Sequence, residues 1–112
     1  MFILLTNEKK YTCPINFTID LISGKWSMWV LWNLQDCPLR FGELKRSIPG
    51  ITEKMLIQQL KKFENNNLVT RTVYSQIPPK VEYSLTEHGK SLKTIMLSIK
   101  QWGDDHLYIQ GN

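Results

Sequence analysis

The stretch FGELKRSIPGITEKMLIQQLKKFENNNLV, from Phe41 to Val69, decides the fold of this chain. Its first part predicts a short helix over 41–47, because Phe41, Leu44 and Ile48 recur at spacings of three and four. Pro49-Gly50 then interrupts the pattern, since proline cannot continue a helix and glycine turns freely. A second helix is expected directly after this break, so the stretch predicts two helices joined by a tight turn.

The second predicted helix begins after Thr52, whose hydroxyl can accept a hydrogen bond as an N-cap, and runs without Gly or Pro to Asn67. One side of its helical wheel is apolar and is expected in the core: Leu56, Leu60 and Phe63. The opposite side mixes cations with amides and contains no acid: Lys54, Gln58, Lys61 and Asn65, with Met55 and Lys62 at its edge. Lysines neutralise phosphates, and a glutamine amide offers a donor and an acceptor to a base edge. This face predicts DNA binding, although a solvated helix can have the same composition.

Length and charge are consistent with this prediction. The chain has 112 residues, of which 42% are hydrophobic and 21% charged, which suits one globular domain with a small core. The net charge is +4, but from Arg40 to Lys100 eleven Lys or Arg stand against five Glu, so this segment alone carries +6. A basic segment inside a folded domain favours a polyanionic partner.

Other classes of protein are disfavoured. The apolar run Phe2–Leu5 is too short for a signal peptide, and no stretch approaches the length of a membrane span, so we expect a cytoplasmic, nucleoid-associated protein. Cys13 and Cys37 lie 24 positions apart without a nearby His or Cys, which predicts neither a metal site nor a redox pair of the C-x-x-C type. With only His88 and His106 available and no phosphate-binding loop, we expect no enzyme and no cofactor.

Two helices are predicted before the central stretch, over 14–23 and 25–34. Pro14 suits the first turn of the first helix, and its apolar residues are Phe17, Ile19, Leu21 and Ile22. The second helix is apolar on nearly every side, so we expect it in the middle of the domain. Its tryptophans are assigned to core packing rather than to a ligand pocket: Trp26, Trp29 and Trp32.

After the central stretch the pattern changes from helix to strand. Residues 69–74 and 80–85 predict a two-stranded hairpin, with 76–79 as its proline-containing turn. Two strands alone are marginally stable, so the hairpin must pack on the helices. Helix, turn, helix and hairpin form the order of a winged helix. Gln76 and Lys80 near the tip are expected to reach a minor groove or phosphates.

The last predicted helix starts at a Thr86 cap and runs to about His106, with an interruption at Gly89. Its apolar residues form a stripe at steps of three and four: Leu92, Ile95, Met96, Ile99 and Trp102. A further long amphipathic helix invites a second copy of the chain, although it can also pack only on its own domain. Two-fold symmetry would double the readout on a palindrome whose half-sites are about 34 Å apart or a multiple of that.

Several short motifs carry a resemblance to a known family. In chain order they are Cys13-Pro14, Leu21-Ile22-Ser23-Gly24-Lys25-Trp26, Arg40-Phe41-Gly42-Glu43-Leu44, Ile48-Pro49-Gly50-Ile51-Thr52, Met55-Leu56, Gln59-Leu60, and Pro78-Pro79-Lys80-Val81-Glu82-Tyr83-Ser84-Leu85-Thr86 with Gly89. Together they resemble the HxlR family of bacterial winged-helix transcription regulators, which are related in architecture to the MarR group. The likeness extends from Cys13 to Trp102. It implies a homodimer, built from the N- and C-terminal helices, that binds pseudo-palindromic operator DNA.

The resemblance also implies a role for one cysteine. Some members sense electrophiles or oxidants through a cysteine just before the proline that opens the first helix, and Cys13 occupies that position. A thiolate there could attack an electrophile or form a disulfide with the partner subunit. The alternative is a half-buried thiol without a sensing role. Cys37 is less informative.

These observations predict a mainly α fold with a small β-hairpin wing, divided into a flexible N-terminal arm over 1–12, a winged-helix DNA-binding and dimerisation domain over 13–107, and a tail over 108–112. The expected DNA-binding residues are Arg40, Thr52, Lys54, Met55, Gln58, Gln59, Lys62, Gln76 and Lys80. The expected dimer interface comprises Phe17, Leu92, Ile95, Met96, Ile99 and Trp102.

The predicted function is a homodimeric, sequence-specific regulator, expected to be a repressor, that responds to an oxidant or small-molecule effector. The alternative is a winged-helix module that contacts proteins and does not bind DNA.

Overall fold

The computed structural model describes residues 4–6 and 9–107 of the chain. In this part the elements follow in the order β1 (Leu4–Thr6), β2 (Lys9–Tyr11), α1 (Pro14–Ile22), α2 (Ser27–Asn33), α3 (Phe41–Ser47), α4 (Glu53–Asn65), β3 (Val69–Tyr74), β4 (Lys80–Leu85), α5 (Glu87–Lys90) and α6 (Lys93–His106). The predicted class, mainly α with a two-stranded wing, is confirmed. The antiparallel pair β1 and β2 falls within the predicted arm, whereas the predicted tail over 108–112 lies outside the described residues.

The turn between α3 and α4 has the geometry that its sequence requires. Ile48 is fully buried after the last turn of α3, and Gly50 has a φ of +90°, a conformation that side chains rarely adopt. The Trp26 ring lies beside this glycine. Glycine therefore allows the chain to reverse while a large aromatic ring covers the turn.

The core is centred on α2 and on the inner sides of α3 and α4. Val30 and Leu31 of α2 have no exposed surface, and Leu44, Leu56 and Phe63 are equally buried. The prediction that all three tryptophans belong to the core is wrong for two of them, because Trp29 is 42% and Trp32 36% exposed. These two rings instead line a groove of about 410 Å³ between α2 and α6, with Met96 among its other residues.

The wing is antiparallel and joined to the core at its base. Its register places Val69 opposite Leu85, and both side chains are buried. On the other side of β4, Leu39 pairs with Tyr83 through two backbone hydrogen bonds of 2.9 and 2.8 Å. This additional bridge fixes the wing to the segment that enters α3.

The last predicted helix is divided into two. The Thr86 hydroxyl accepts a hydrogen bond of 3.0 Å from the Gly89 backbone N–H and caps α5, which ends at Lys90. The predicted cap is confirmed, but the interruption follows Lys90 rather than lying at Gly89. Among the described residues, no helix is long and apolar enough to cross a bilayer.

Gly89 is required by close packing, which can be tested against a second helical glycine. A Cβ at Gly89 would overlap the Leu68 carbonyl oxygen, whereas a Cβ at Gly103 would meet no heavy atom within 4 Å. We expect Gly89→Ala to lower the free energy of unfolding by about 1–3 kcal/mol, because backbone must move. Gly103→Ala should raise it by about 0.5–1 kcal/mol, since alanine favours the helix. Urea unfolding followed by circular dichroism measures both, and equal effects would contradict the packing argument.

Candidate DNA-binding surface

The second helix of the helix-turn-helix, α4, presents the face that its sequence predicts. Leu56, Leu60 and Phe63 are buried, and the opposite face is exposed at Lys54, Met55, Gln58, Lys61 and Asn65. The Lys62 side chain is half-buried, and its ammonium lies 5.9 Å from the centroid of the Phe63 ring. The exposed face contains cations and amides and no acid, so its chemistry suits phosphates and base edges.

Thr52 fixes the start of this helix. Its hydroxyl accepts a hydrogen bond of 3.1 Å from the Met55 backbone N–H. Glu53 in the first turn places a negative charge where the helix dipole favours one. Because the hydroxyl accepts in the cap, its own proton stays available to a phosphate.

Gln59 connects α4 to α2. The fully buried Ser27 hydroxyl lies 2.7 Å from the side-chain oxygen of Gln59 and 2.8 Å from the Ser23 carbonyl oxygen. The Ser27 hydroxyl has one proton, which it donates to the Gln59 side-chain oxygen or to the Ser23 carbonyl oxygen. The side chain of Gln59 is thus engaged in helix packing, unlike the exposed Gln58.

Arg40 stands at the entrance to α3. Its backbone N–H donates a hydrogen bond of 2.8 Å to the Glu43 carboxylate, and its side chain is exposed. Lys45 and Arg46, in the last turn of α3, are exposed as well. The sequence prediction did not select these two cations, although their position just before Pro49 could have indicated them.

The tip of the wing differs from the prediction in detail. Gln76 is exposed as expected, but the Lys80 ammonium lies 3.5 Å from the Glu82 carboxylate and 4.9 Å from the centroid of the Tyr74 ring. A hydrogen bond to Glu82 and the charge of that carboxylate raise the pKa of Tyr74. Ile77 projects from the tip with its full surface exposed. The sequence prediction assigned no role to Ile77. A large apolar residue in the turn of the hairpin could have indicated it.

The predicted sensor residue, Cys13, lies at the start of the first helix. Cys13 is half-buried immediately before α1, and its carbonyl accepts a hydrogen bond of 3.1 Å from the Phe17 backbone N–H. Its thiol does not cap the helix by a hydrogen bond. Cys37 is exposed in the loop before Pro38.

The predicted dimer residues divide into two groups. Leu92 and Met96 are buried in the core of the chain itself, and Phe17 packs against that core. They therefore have little surface left for a partner. Apolar side chains that remain exposed on α1 and α6 are Ile15, Ile19, Ile95, Leu97, Ile99 and Trp102. The predicted interface did not include Ile15, Ile19 or Leu97.

Comparison with known sequences places the chain among helix-turn-helix transcriptional regulators. Residues 21–110 match the family model described as HxlR-like helix-turn-helix. The uncharacterised HTH-type transcriptional regulator YkvN of Bacillus subtilis strain 168 is 53% identical over 95 residues, which cover 85% of this chain and 80% of YkvN. The uncharacterised regulator YybR of the same strain is 46% identical over 97 residues, covering 87% of this chain and 78% of YybR.

Solved structures with the same fold include a redox regulator and a transcriptional regulator. The redox regulator HypR in its reduced form superposes with a TM-score of 0.83 at 44% identity, covering 88% of this chain and 97% of that chain. Diamide-treated YodB from B. subtilis superposes with a TM-score of 0.73 at 36% identity, covering 84% of this chain and 94% of that chain.

The contact between Ser27 and Gln59 predicts a measurable loss of stability. Replacing Ser27 by Ala removes a buried hydroxyl and leaves the Gln59 amide without that partner, so unfolding free energy should fall by about 1–2 kcal/mol. Ser47→Ala is the matched control, because the Ser47 hydroxyl donates only to the Glu43 carbonyl one turn earlier and is exposed. That control should change stability by less than about 0.5 kcal/mol. Thermal unfolding measures the stability of both variants. Equal stability of the two variants would refute a stabilising contact between Ser27 and Gln59.

Proposed function

Because the chain belongs to the HxlR-like helix-turn-helix family of transcriptional regulators, we propose that it represses transcription as a homodimer bound to a pseudo-palindromic operator. The observation that carries this proposal is the exposed, acid-free face of α4, held outward by the buried residues on its other side. In this proposal α4 enters a major groove. Gln58 contacts a base edge, with Met55 beside it, while Lys54 and Lys62 contact phosphates.

The elements around α4 extend the proposed contact. Arg40 and the Thr52 hydroxyl lie at the starts of α3 and α4, where they would meet the sugar-phosphate backbone. Gln76 and Ile77 at the tip of the wing would enter the adjacent minor groove, where apolar side chains can lie against sugars or wedge between base steps. Lys80 supports this tip through Glu82 and Tyr74 while keeping its charge close to the DNA.

Exposed apolar side chains support a homodimer. In our proposal Ile95, Ile99 and Trp102 of α6 pack against a second copy of the chain, together with Ile15 and Ile19 of α1. Several exposed apolar side chains on two terminal helices typify a surface that is covered by a partner. Leu92, Met96 and Phe17 would support this surface from beneath.

Redox control is proposed through Cys13. The thiol lies at the start of α1 and is partly accessible to an oxidant. Two-electron oxidation by an oxidant such as diamide would join this sulfur to a second thiol, with both thiol protons transferred to the reduced oxidant. The likeness to HypR and YodB supports this part of the proposal.

The DNA-binding proposal predicts different effects for two substitutions on α4. The wild-type protein first selects its preferred duplex from a random library. Gln58→Ala should reduce the difference in binding free energy between this duplex and scrambled DNA by about 1–3 kcal/mol, because one bidentate base contact is lost. Lys54→Gln should weaken binding to every duplex and reduce the slope of log K against log salt by about 1. Fluorescence anisotropy at several salt concentrations measures both quantities.

Lys93→Gln on α6 is the control for the loss of one positive charge, since Lys93 is exposed far along the chain from α4. It should leave the salt slope nearly unchanged. If a variant with Lys54, Gln58 and Lys62 all replaced bound the selected duplex as tightly as the wild type does, the result would favour the alternative, a winged-helix module that contacts proteins.

The sensor proposal predicts a response to oxidant that depends on Cys13. Diamide should lower the operator affinity of the wild-type protein and of Cys37→Ser, whereas Cys13→Ser should keep its affinity, because its hydroxyl cannot be oxidised in the same way. Binding before and after treatment, together with non-reducing electrophoresis, separates loss of DNA binding from disulfide formation. An unaltered wild-type affinity after diamide and after a quinone would refute the sensor while leaving the DNA-binding proposal intact.

A further inference from the structure

A cleft separates the recognition helix α4 from the inner face of the wing. Its volume is about 520 Å³, within the usual range for small-ligand sites. Ile57 and Leu60 of α4 form its apolar part. Lys61 and Glu64 of α4 face the same space as Arg71 of β3 and Tyr83 of β4. The cleft thus combines two cations, an acid and a phenol around an apolar patch.

Arg71 is an exposed residue in the middle of β3. In β3 it lies two residues from Val69 and Val73, so it shares their side of the strand, and Val69 is buried. The register places Arg71 directly opposite Tyr83. Strand alternation therefore directs the guanidinium toward α4, where its neighbours are the residues of the cleft.

The charges in this cleft are not satisfied by one another. Within the part of the chain that the structure describes, neither the Lys61 ammonium nor the Arg71 guanidinium forms an ion pair. Glu64 lies three residues after Lys61 on the same side of α4, and it too has no ion pair among these residues. Two cations and an acid that face one concave space without forming an ion pair provide charge-assisted donors and an acceptor for a ligand.

We propose that the cleft binds a small amphipathic organic carboxylate that also carries an amino or hydroxyl group. The ligand carboxylate pairs with Lys61 and Arg71, and the fork of the guanidinium matches the two carboxylate oxygens. The amino or hydroxyl group donates to Glu64, and the apolar part of the ligand covers Ile57. Tyr83 and Asn65 supply further hydrogen-bonding groups at the edge of the cleft.

The lining favours a small molecule over a DNA phosphate. A phosphodiester has neither a donor for the Glu64 carboxylate nor an apolar group for Ile57, and the acid would repel it. Arg71 also lies on the side of the wing that faces the helix, rather than at the tip beside Ile77. Lys61 also belongs to the exposed face of α4 that carries Lys54, whereas Glu64 and Ile57 lie beside that face toward the wing.

A ligand in this cleft would act on DNA binding, and this consequence depends on the proposed regulatory function. It would contact α4 and both strands of the wing at once, so it would change the angle between the two elements that meet the operator. By thermodynamic linkage, the operator must change the ligand's affinity by the same factor. The cleft thus gives the regulator an effector site that is separate from Cys13.

Three probes test the chemistry of the cleft: L-leucine, 4-methylpentanoate, which lacks the amino group, and 3-methylbutan-1-amine, which lacks the carboxylate. Titration of the full chain, followed by ¹H–¹⁵N spectra, should show saturable binding of L-leucine with a Kd of about 1 mM or lower, the range expected for a ligand of this size. We expect weaker binding of 4-methylpentanoate and no binding of the amine. The shifted signals should be those of Lys61, Arg71 and Tyr83.

Variants assign each group its role. Arg71→Gln and Lys61→Gln should each lower the affinity for both carboxylate probes at least about tenfold, since each substitution removes a charge-assisted contact. Glu64→Gln should lower the affinity for L-leucine, whose amino group donates to Glu64. It should leave the affinity for 4-methylpentanoate unchanged, because that probe has no amino group. Lys93→Gln, which removes an exposed charge outside the cleft, should bind both as the wild type does. Unfolding curves confirm that each variant is folded.

Three results would overturn the proposal. The first is an absence of saturable binding of either carboxylate up to about 10 mM, well above the expected Kd. The second is equal binding by wild type and Arg71→Gln, and the third is spectral shifts confined to the groove beside Trp29. Arg71→Gln could instead weaken binding to every duplex and reduce the slope of log K against log salt. The cleft would then be part of the DNA-binding surface, and the proposed regulatory function would stand.

Discussion

Burial of one side of α4 is the constraint on which the rest of the structure depends. Leu56, Leu60 and Phe63 must leave water together, and their spacing allows this only in one rotation of the helix. Once that rotation is fixed, Lys54 and Gln58 have to face outward. The direction in which the proposed DNA-binding side chains point is therefore determined by hydrophobic packing on the opposite side of the helix, without any contact to those side chains themselves.

The elements that repeat a simple period could be predicted from the sequence. The faces of α4 follow from a period of 3.6, the wing follows from alternation over 80–85, and Thr52 and Thr86 cap helices because their hydroxyls accept early backbone N–H groups. The exposure of Trp29 and Trp32 could not be predicted in the same way. A helix that is apolar all round does not indicate which side its neighbours leave uncovered, and this depends on where α6 passes.

Details of the candidate site depend on contacts between distant segments, which no local pattern contains. Ser27 and Gln59 are 32 positions apart, and only the packing of α2 on α4 brings their polar atoms together. Lys80 looked like a free cation at the tip, but the register of the hairpin gives it Glu82 and Tyr74 as neighbours. Arg71 shows the same limit, because its proposed role depends on which side of β3 faces α4.

The same packing connects the proposed sensor to the DNA-binding face. Cys13 precedes α1, and at the other end of that helix the Ser23 carbonyl contacts the Ser27 hydroxyl, which in turn contacts Gln59 of α4. Close-packed interiors respond to strain by rigid displacement of helices rather than by gradual deformation. A bond formed at Cys13 that rotated α1 would therefore displace α2, and through the Ser27 contact it would displace α4. In a symmetric dimer both copies of α4 must fit one duplex, so a small rotation in each chain is sufficient to disturb their spacing.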